Sequence, residues 1–238
     1  MTQTNVSLGS TATLASEPEA AQGKDTKDRI LDAAESLFVA HGFQATSLRR
    51  ITALARVNLG AVNYHFQSKE HLIQAVVTRK LEPINNARLE LLDQLEAQAT
   101  PENPPTLEQV LVAFLKPVTD AQSSNADLGS FPVLMGRLYA VPGGVFQRFF
   151  ASAFSVVARR FKEAITRTLP GARPIAVLWG MHLTIGAMAH YLARPPVLAL
   201  LAGRDAAPDP KPDEALDRMV SYMAGGIRAM VAREEARR

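Results

Sequence analysis

Between Thr46 and Lys69 the chain carries Arg49, Arg50, Arg56 and Lys69 and no acidic residue. Cations gathered in one stretch without counter-charges are the electrostatic footprint that suits a phosphate backbone. Asn58, Asn63, Tyr64 and His65 fall in the same stretch. Their side chains can donate to phosphate oxygens or read base edges in the major groove of a duplex. A merely solvated basic face, with Tyr64 and Phe66 serving a core, is the competing account, and Phe66 taken alone reads as core.

A second group is apolar. Phe146, Phe149, Phe150, Phe154 and Phe161 share one segment, and Leu134, Met135, Leu138, Tyr139, Trp179, Met181, Leu183 and Met188 lie on neighbouring ones. Clustered aromatic rings and adaptable methionines suit an apolar cavity between helices, although such stripes equally fill ordinary cores. The candidate ligand contacts are Met135, Arg137, Leu138, Tyr139, Phe150, Phe154, Trp179, His182 and Met188. Arg137, a lone charge in an apolar stretch, suits a carboxylate or phosphate, or else a surface ion pair.

Other chemistries find no residues to perform them. The 238 residues include no cysteine, which removes disulfides, thiolate metal sites and thiol nucleophiles. His182 and His190 stand eight residues apart with no acidic residue between them, too few ligands for zinc. There is no glycine-rich phosphate loop, no G-x-S-x-G elbow and no H-E-x-x-H pair. No metal, no cofactor and no catalytic group is expected, so an enzyme or carrier built on a helical bundle is the weaker alternative. The net charge of +3 adds little until the charges are placed.

The elements that must position these groups read as helices throughout. Residues 1–23 are rich in Thr, Ser and Ala, lack aromatic residues and show no period, which predicts a tail outside the fold. From Asp25, Ile30, Leu31, Ala34, Leu37 and Phe38 recur at helical spacing, with Asp25 and Asp28 placed as a reciprocal cap and Gly42 as the stop. Ser47 is placed to cap a short helix burying Leu48, Ile51 and Leu54, and Asn58 a second one reaching about His65. Only a tight turn separates the two, which is the helix-turn-helix arrangement. Ser68 starts a long helix that Pro83 is expected to bend. Further helices are expected near 106–122, 128–140, 145–169, 173–193 and 213–233, and no alternating strand pattern or internal repeat interrupts them.

The segment from Ile175 to Ala193 has no Asp, Glu, Lys or Arg, but its two histidines, two glycines and alanines predict a buried or interface helix over a membrane span. No secretory signal is evident near the N-terminus, so the cytoplasm is the expected compartment, with no membrane partner. In the last helix Leu216, Met219, Val220, Met223, Ile227 and Met230 form a seam, and Gly225 and Gly226 permit close approach. A two-fold partner is the expected cover for this seam and for Leu183 on the apolar helix before it, with packing inside the chain as the alternative.

The stretch LFVAHGFQATSLRRITALARVNLGAVNYHFQSKEHL resembles the DNA-binding domain of the TetR family of bacterial repressors. Gly42-Phe43, Thr46-Ser47, Ile51, Val57-Asn58, Gly60, Tyr64-His65-Phe66 and Lys69 carry the resemblance. It implies that the helix after Asn58 enters the groove, that Thr46 and Ser47 touch phosphate, and that Tyr64, His65 and Lys69 grip the backbone. It points to Asn63 as well. Arg56 stands where the family often has Gly, and a positive φ there costs an arginine on the order of 1 kcal/mol. VNYHF and GRLYAVP add a fainter similarity to the family's fatty-acid-responsive branch.

The expectation is therefore an all-α protein. Residues 24–75 form a three-helix DNA-binding domain and residues 76–238 a helical ligand-binding and dimerisation domain. It is a homodimer on double-stranded palindromic operator DNA, released by an apolar effector such as a fatty acid or acyl-CoA. A sequence-indifferent architectural DNA binder is the remaining alternative.

Overall fold

The computed structural model describes residues 25–123, 134, 145–193 and 211–236. These form helices α1 (Thr26–His41), α2 (Leu48–Ala55), α3 (Leu59–Phe66), α4 (Lys69–Ala97), α5 (Leu107–Ser123), α6 (Val145–Thr168), α7 (Pro174–Ala193) and α8 (Pro212–Glu235). No strand occurs among the described residues. The expected tail at 1–23 and helix at 128–140 lie outside them, except Leu134, which is buried.

Local signals set most boundaries. The side chains of Ser47, Asn58 and Ser68 accept from the N–H groups of Arg50, Ala61 and His71 at 3.3, 2.8 and 3.1 Å, capping α2, α3 and α4. Thr106 and Gln109 exchange bonds of 3.2 and 2.9 Å in a capping box that begins α5. Gly42 ends α1 at φ 82°, and Phe43 folds back to 5.7 Å from Phe38, centroid to centroid. Asp25 precedes α1 but makes no side-chain cap bond, so the reciprocal cap expected with Asp28 does not form. Pro83 removes one backbone donor, yet α4 continues through it to Ala97.

The N-terminal helices close on one apolar centre: Ile30, Phe38, Ile51, Val62 and Phe66 meet Leu72, Ile73 and Val76 of α4. Two ion-pair sets fasten α1 to α4, with Arg79 reaching Asp32 and Glu35 at 2.8 and 3.0 Å and Lys80 reaching Glu35 at 2.9 Å. Farther along, α4 packs on α5 and α6, and α8 packs on α5 and α7. Phe114 and Phe161 meet edge to face at 5.0 Å in this second core.

The seam of α8 is turned inward. Leu216, Met223 and Ile227 are buried against the rest of the chain, and Met219 and Met230 pack beside them half-buried. These residues are covered by their own protomer, because α5 and α7 supply the apolar surface that the seam requires. The close approach also differs from expectation. A Cβ on Gly180 would lie 2.7 Å from Cγ1 of Ile227, so it is Gly180 that lets α7 meet α8, while Gly225 and Gly226 face open space.

What α7 leaves outside is apolar. Ile175, Leu178, Trp179 and Leu183 are all about half exposed, between 45% and 53%, and Tyr222 of α8 is exposed too. No helix among the described residues is long and apolar enough to cross a membrane.

Candidate nucleic-acid interface

The turn between α2 and α3 is built around Arg56. It holds φ 53° and ψ 49°, a left-handed conformation that an L side chain adopts at a cost. Its N–H donates to the carbonyl of Ala53 at 3.3 Å and that of Val57 to Thr52 at 3.0 Å, the paired bonds of a Schellman stop. From α1, Arg29 donates to the carbonyls of Ala55 and Arg56 at 2.7 and 2.8 Å. The sequence reading passed over Arg29, since its targets are 26 and 27 residues away and nothing local marks it. A second positive φ, 63°, falls on Gln67 just after α3, where the N–H of Ser68 reaches the carbonyl of Phe66 at 2.6 Å in a tight γ-type turn.

Helix α3 thus sits with Val62 and Phe66 buried and with Leu59, Asn63 and Tyr64 facing out; Tyr64 is 84% exposed. The rings of Tyr64 and His65 meet edge to face at 5.1 Å, leaving His65 half-buried. Around them Ser47, Arg49, Arg56 and Asn58 are exposed. Arg50 is also exposed and lies 3.0 Å from Nε2 of His41. Lys69 opens α4 with Nζ 4.4 Å from the centre of the Phe43 ring. Partial burial pushes its pKa below the ordinary lysine value, and the charge of Glu70 opposes that. The resulting surface is cationic, carries donors and has no carboxylate from Thr46 to Lys69.

Two residues depart from their expected places. Thr46 is fully buried, and its hydroxyl donates to the carbonyls of Gly42 and Leu37 at 2.7 and 3.2 Å. It holds the α1–α2 connection and presents no hydroxyl to a phosphate. Leu54, expected in the core, is exposed.

The candidate ligand contacts divide. Phe154 and Met188 are buried and come together around Arg88 of α4, with Phe154 5.4 Å from the guanidinium carbon and the Met188 sulfur 3.0 Å from Nη2. Trp179 and His182 lie on the exposed side of α7, stacked edge to face at 5.7 Å, because Ala176, Val177, Gly180 and Met181 take its inner side. Phe150 is in α6, with its side chain outside the described set, and Met135, Arg137, Leu138 and Tyr139 are outside the described residues. Arg88 itself was missed, although its spacing with Leu81, Ile84 and Leu92 puts it on the buried stripe of α4.

A short recognition helix, rigidly held across a capped partner and backed by a third helix, defines a helix-turn-helix DNA-binding protein. Residues 30–76 match the family model described as bacterial regulatory proteins, tetR family, and residues 112–226 match the tetracyclin repressor-like C-terminal domain. The uncharacterized HTH-type transcriptional regulator TtgW of Pseudomonas putida is 37% identical over 106 residues, covering 44% of this chain and 72% of that one. The chain belongs to the TetR family and is a DNA-binding transcriptional regulator.

Solved structures share the fold. NalD, the secondary repressor of the MexAB-OprM multidrug efflux pump in Pseudomonas aeruginosa, superposes with a TM-score of 0.60 at 24% identity, over 84% of this chain and 96% of that one. FadR from Bacillus subtilis, in complex with stearoyl-CoA, gives 0.60 at 12% identity over 84% and 98%.

Proposed function

We propose that the protein is a homodimeric repressor of the bacterial cytoplasm that binds a palindromic operator and is released by an apolar small molecule. The observation that carries this is the α2–α3 surface, where an acid-free cationic face surrounds outward-pointing Asn63 and Tyr64 on a helix anchored by Val62 and Phe66. Residues 24–75 supply the DNA contacts and residues 76–238 the effector and dimer contacts. Ser47, Arg49, Arg56 and Lys69 meet phosphates, and Asn58 adds its amide while its oxygen caps α3. Asn63 and Tyr64 enter the groove, with His65 bracing the tyrosine ring.

The exposed apolar side of α7, with Tyr222 and the open backbone at Gly225 and Gly226 on α8, supplies the self-complementary face that a two-fold dimer needs. Helix α4 begins at the DNA with Lys69 and ends among the effector-domain helices, so its tilt sets the spacing between recognition helices. An effector that prefers one tilt shifts the equilibrium by its differential affinity, about 1–3 kcal/mol. Because the fold is shared with a regulator bound to stearoyl-CoA, fatty acids and acyl-CoA head the effector screen.

The test is selection from a random duplex pool by the purified protein at about 0.15 M salt, where non-specific attraction is reduced. Enrichment of a two-fold symmetric site is expected. A pool that stays random overturns the specific-regulator reading in favour of an architectural binder.

A further inference from the structure

Among the described residues two charged side chains are buried, Glu35 and Arg88, and they differ in one respect. Glu35 faces two cations, Arg79 and Lys80. Arg88, 1% exposed, faces no carboxylate. Its Nε donates to the carbonyl of Phe114 at 2.8 Å, Nη1 to Oδ1 of Asn85 at 3.1 Å, and Nη2 to the thioether of Met188 at 3.0 Å. The Phe114 ring lies 4.2 Å from the guanidinium carbon.

A buried cation normally has a hydrogen-bonded counter-ion, since removal of the charge from water is costly. Among the described residues its hydrogen-bond partners are all neutral, and the outer nitrogen is left with a thioether, a poor acceptor. Burial without a compensating charge lowers the pKa to about 9, which leaves the group cationic at neutral pH. A guanidinium fork matches a carboxylate with two parallel bonds. The Phe154 ring stands on it as well, 5.4 Å from the guanidinium carbon.

We propose that Arg88 is the anion-receiving residue of the effector domain and that the effector is an apolar molecule bearing one carboxylate. The assignment rests on the ligand-responsive reading above and narrows it to a chemical class. In this conformation the Met188 sulfur occupies Nη2, and the cavity that Phe114 shares with Phe161 and Met181 measures about 10 Å³, the room of one water. The acid therefore enters by swinging aside the flexible Met188 side chain and taking its place at Nη2. The same cluster joins α4 to its neighbours, through the carbonyl of Phe114 on α5 and through Asn85, whose amide donates to the carbonyl of Ala153 on α6 at 3.2 Å. Exchange of a thioether for a carboxylate at Arg88 thus acts directly on the helix that opens at the DNA.

The experiment compares matched acids and alcohols, decanoate with 1-decanol and 2-naphthoate with 2-naphthylmethanol, by calorimetric titration of the full chain. At least one acid is expected to bind ten-fold or more tightly than its alcohol. Arg88→Met is expected to erase that preference while alcohol affinity is kept, and Arg88→Lys to retain part of it. Equal affinity of acid and alcohol in the unaltered protein overturns the anion assignment and leaves an apolar effector standing. Failure of all four probes to bind overturns both. If Arg88 merely braces α5, Arg88→Met discriminates as the unaltered protein does; should that variant fail to fold, the acid preference of the unaltered protein and of Arg88→Lys decides.

Discussion

Replacement of Arg56 by glycine is expected to move stability and DNA binding in opposite directions. At φ 53° and ψ 49° the arginine bears the penalty of a left-handed residue, about 1–2 kcal/mol. Glycine relieves it but loosens the unfolded chain by about 0.4–1 kcal/mol. The net is a gain of about 0.5–1 kcal/mol, or about 1–4 °C in Tm for a chain of this size. The bonds of the turn survive the change, because Arg29 addresses the backbone carbonyls of Ala55 and Arg56 and no side-chain atom of Arg56. Binding should weaken at the same time, since each lost phosphate contact lowers the slope of log K against log salt by about 0.9, or about 1.8 for two subunits. The assays are a thermal melt followed by circular dichroism and a salt titration of operator affinity. A lower Tm for Arg56→Gly would refute the strain account of the turn, and an unaltered slope would refute the phosphate contact.

Three further substitutions have expected outcomes. Leu183→Arg should give monomers in sedimentation with helical content unchanged, whereas Met223→Arg should unfold the effector domain, Leu183 being 51% and Met223 6% exposed; a persistent Leu183→Arg dimer would place the two-fold interface elsewhere. Lys69→Met should weaken binding to every duplex and reduce the salt slope. Because burial lowers the folded-state pKa of Lys69, with Glu70 opposing, the unfolded chain holds more protons and this group's contribution to stability rises with pH toward the lysine range. A pH dependence identical in Lys69→Met would contradict that burial.

The N-terminal helices were legible because their signals are local. Ser47, Asn58 and Ser68 cap helices within three residues of themselves, and Gly42 stops one where it stands. What failed depended on partners distant in sequence. A stripe such as Leu216, Met223 and Ile227 says that a helix has an apolar side but not whose surface covers it, and α5 and α7 proved to be the cover. Trp179 looked like a pocket residue by type, yet its position on α7 turns it outward. Thr46 was assigned by resemblance to phosphate, while its hydroxyl is occupied by two carbonyls. For Arg88 the deciding signal is equally distant in sequence, since the carbonyl of Phe114 on α5 and the sulfur of Met188 on α7 enclose it.

The seating of Ile227 on the bare backbone of Gly180 has a mechanical consequence. With a side chain of one helix seated directly on the backbone of the other there is little slack between them, so α7 and α8 behave as a stiff frame and yield little under a load from inside. A push delivered at Arg88 is then passed along α4. Lys69 stands 19 positions away on the same helix, about 28 Å at 1.5 Å per residue. At that arm a rotation of about 5° carries the head about 2.5 Å, a displacement large against hydrogen-bond tolerances at a phosphate. Enlargement of residue 180 would introduce play into the frame, and operator release would then lag behind effector occupancy even with both binding surfaces intact.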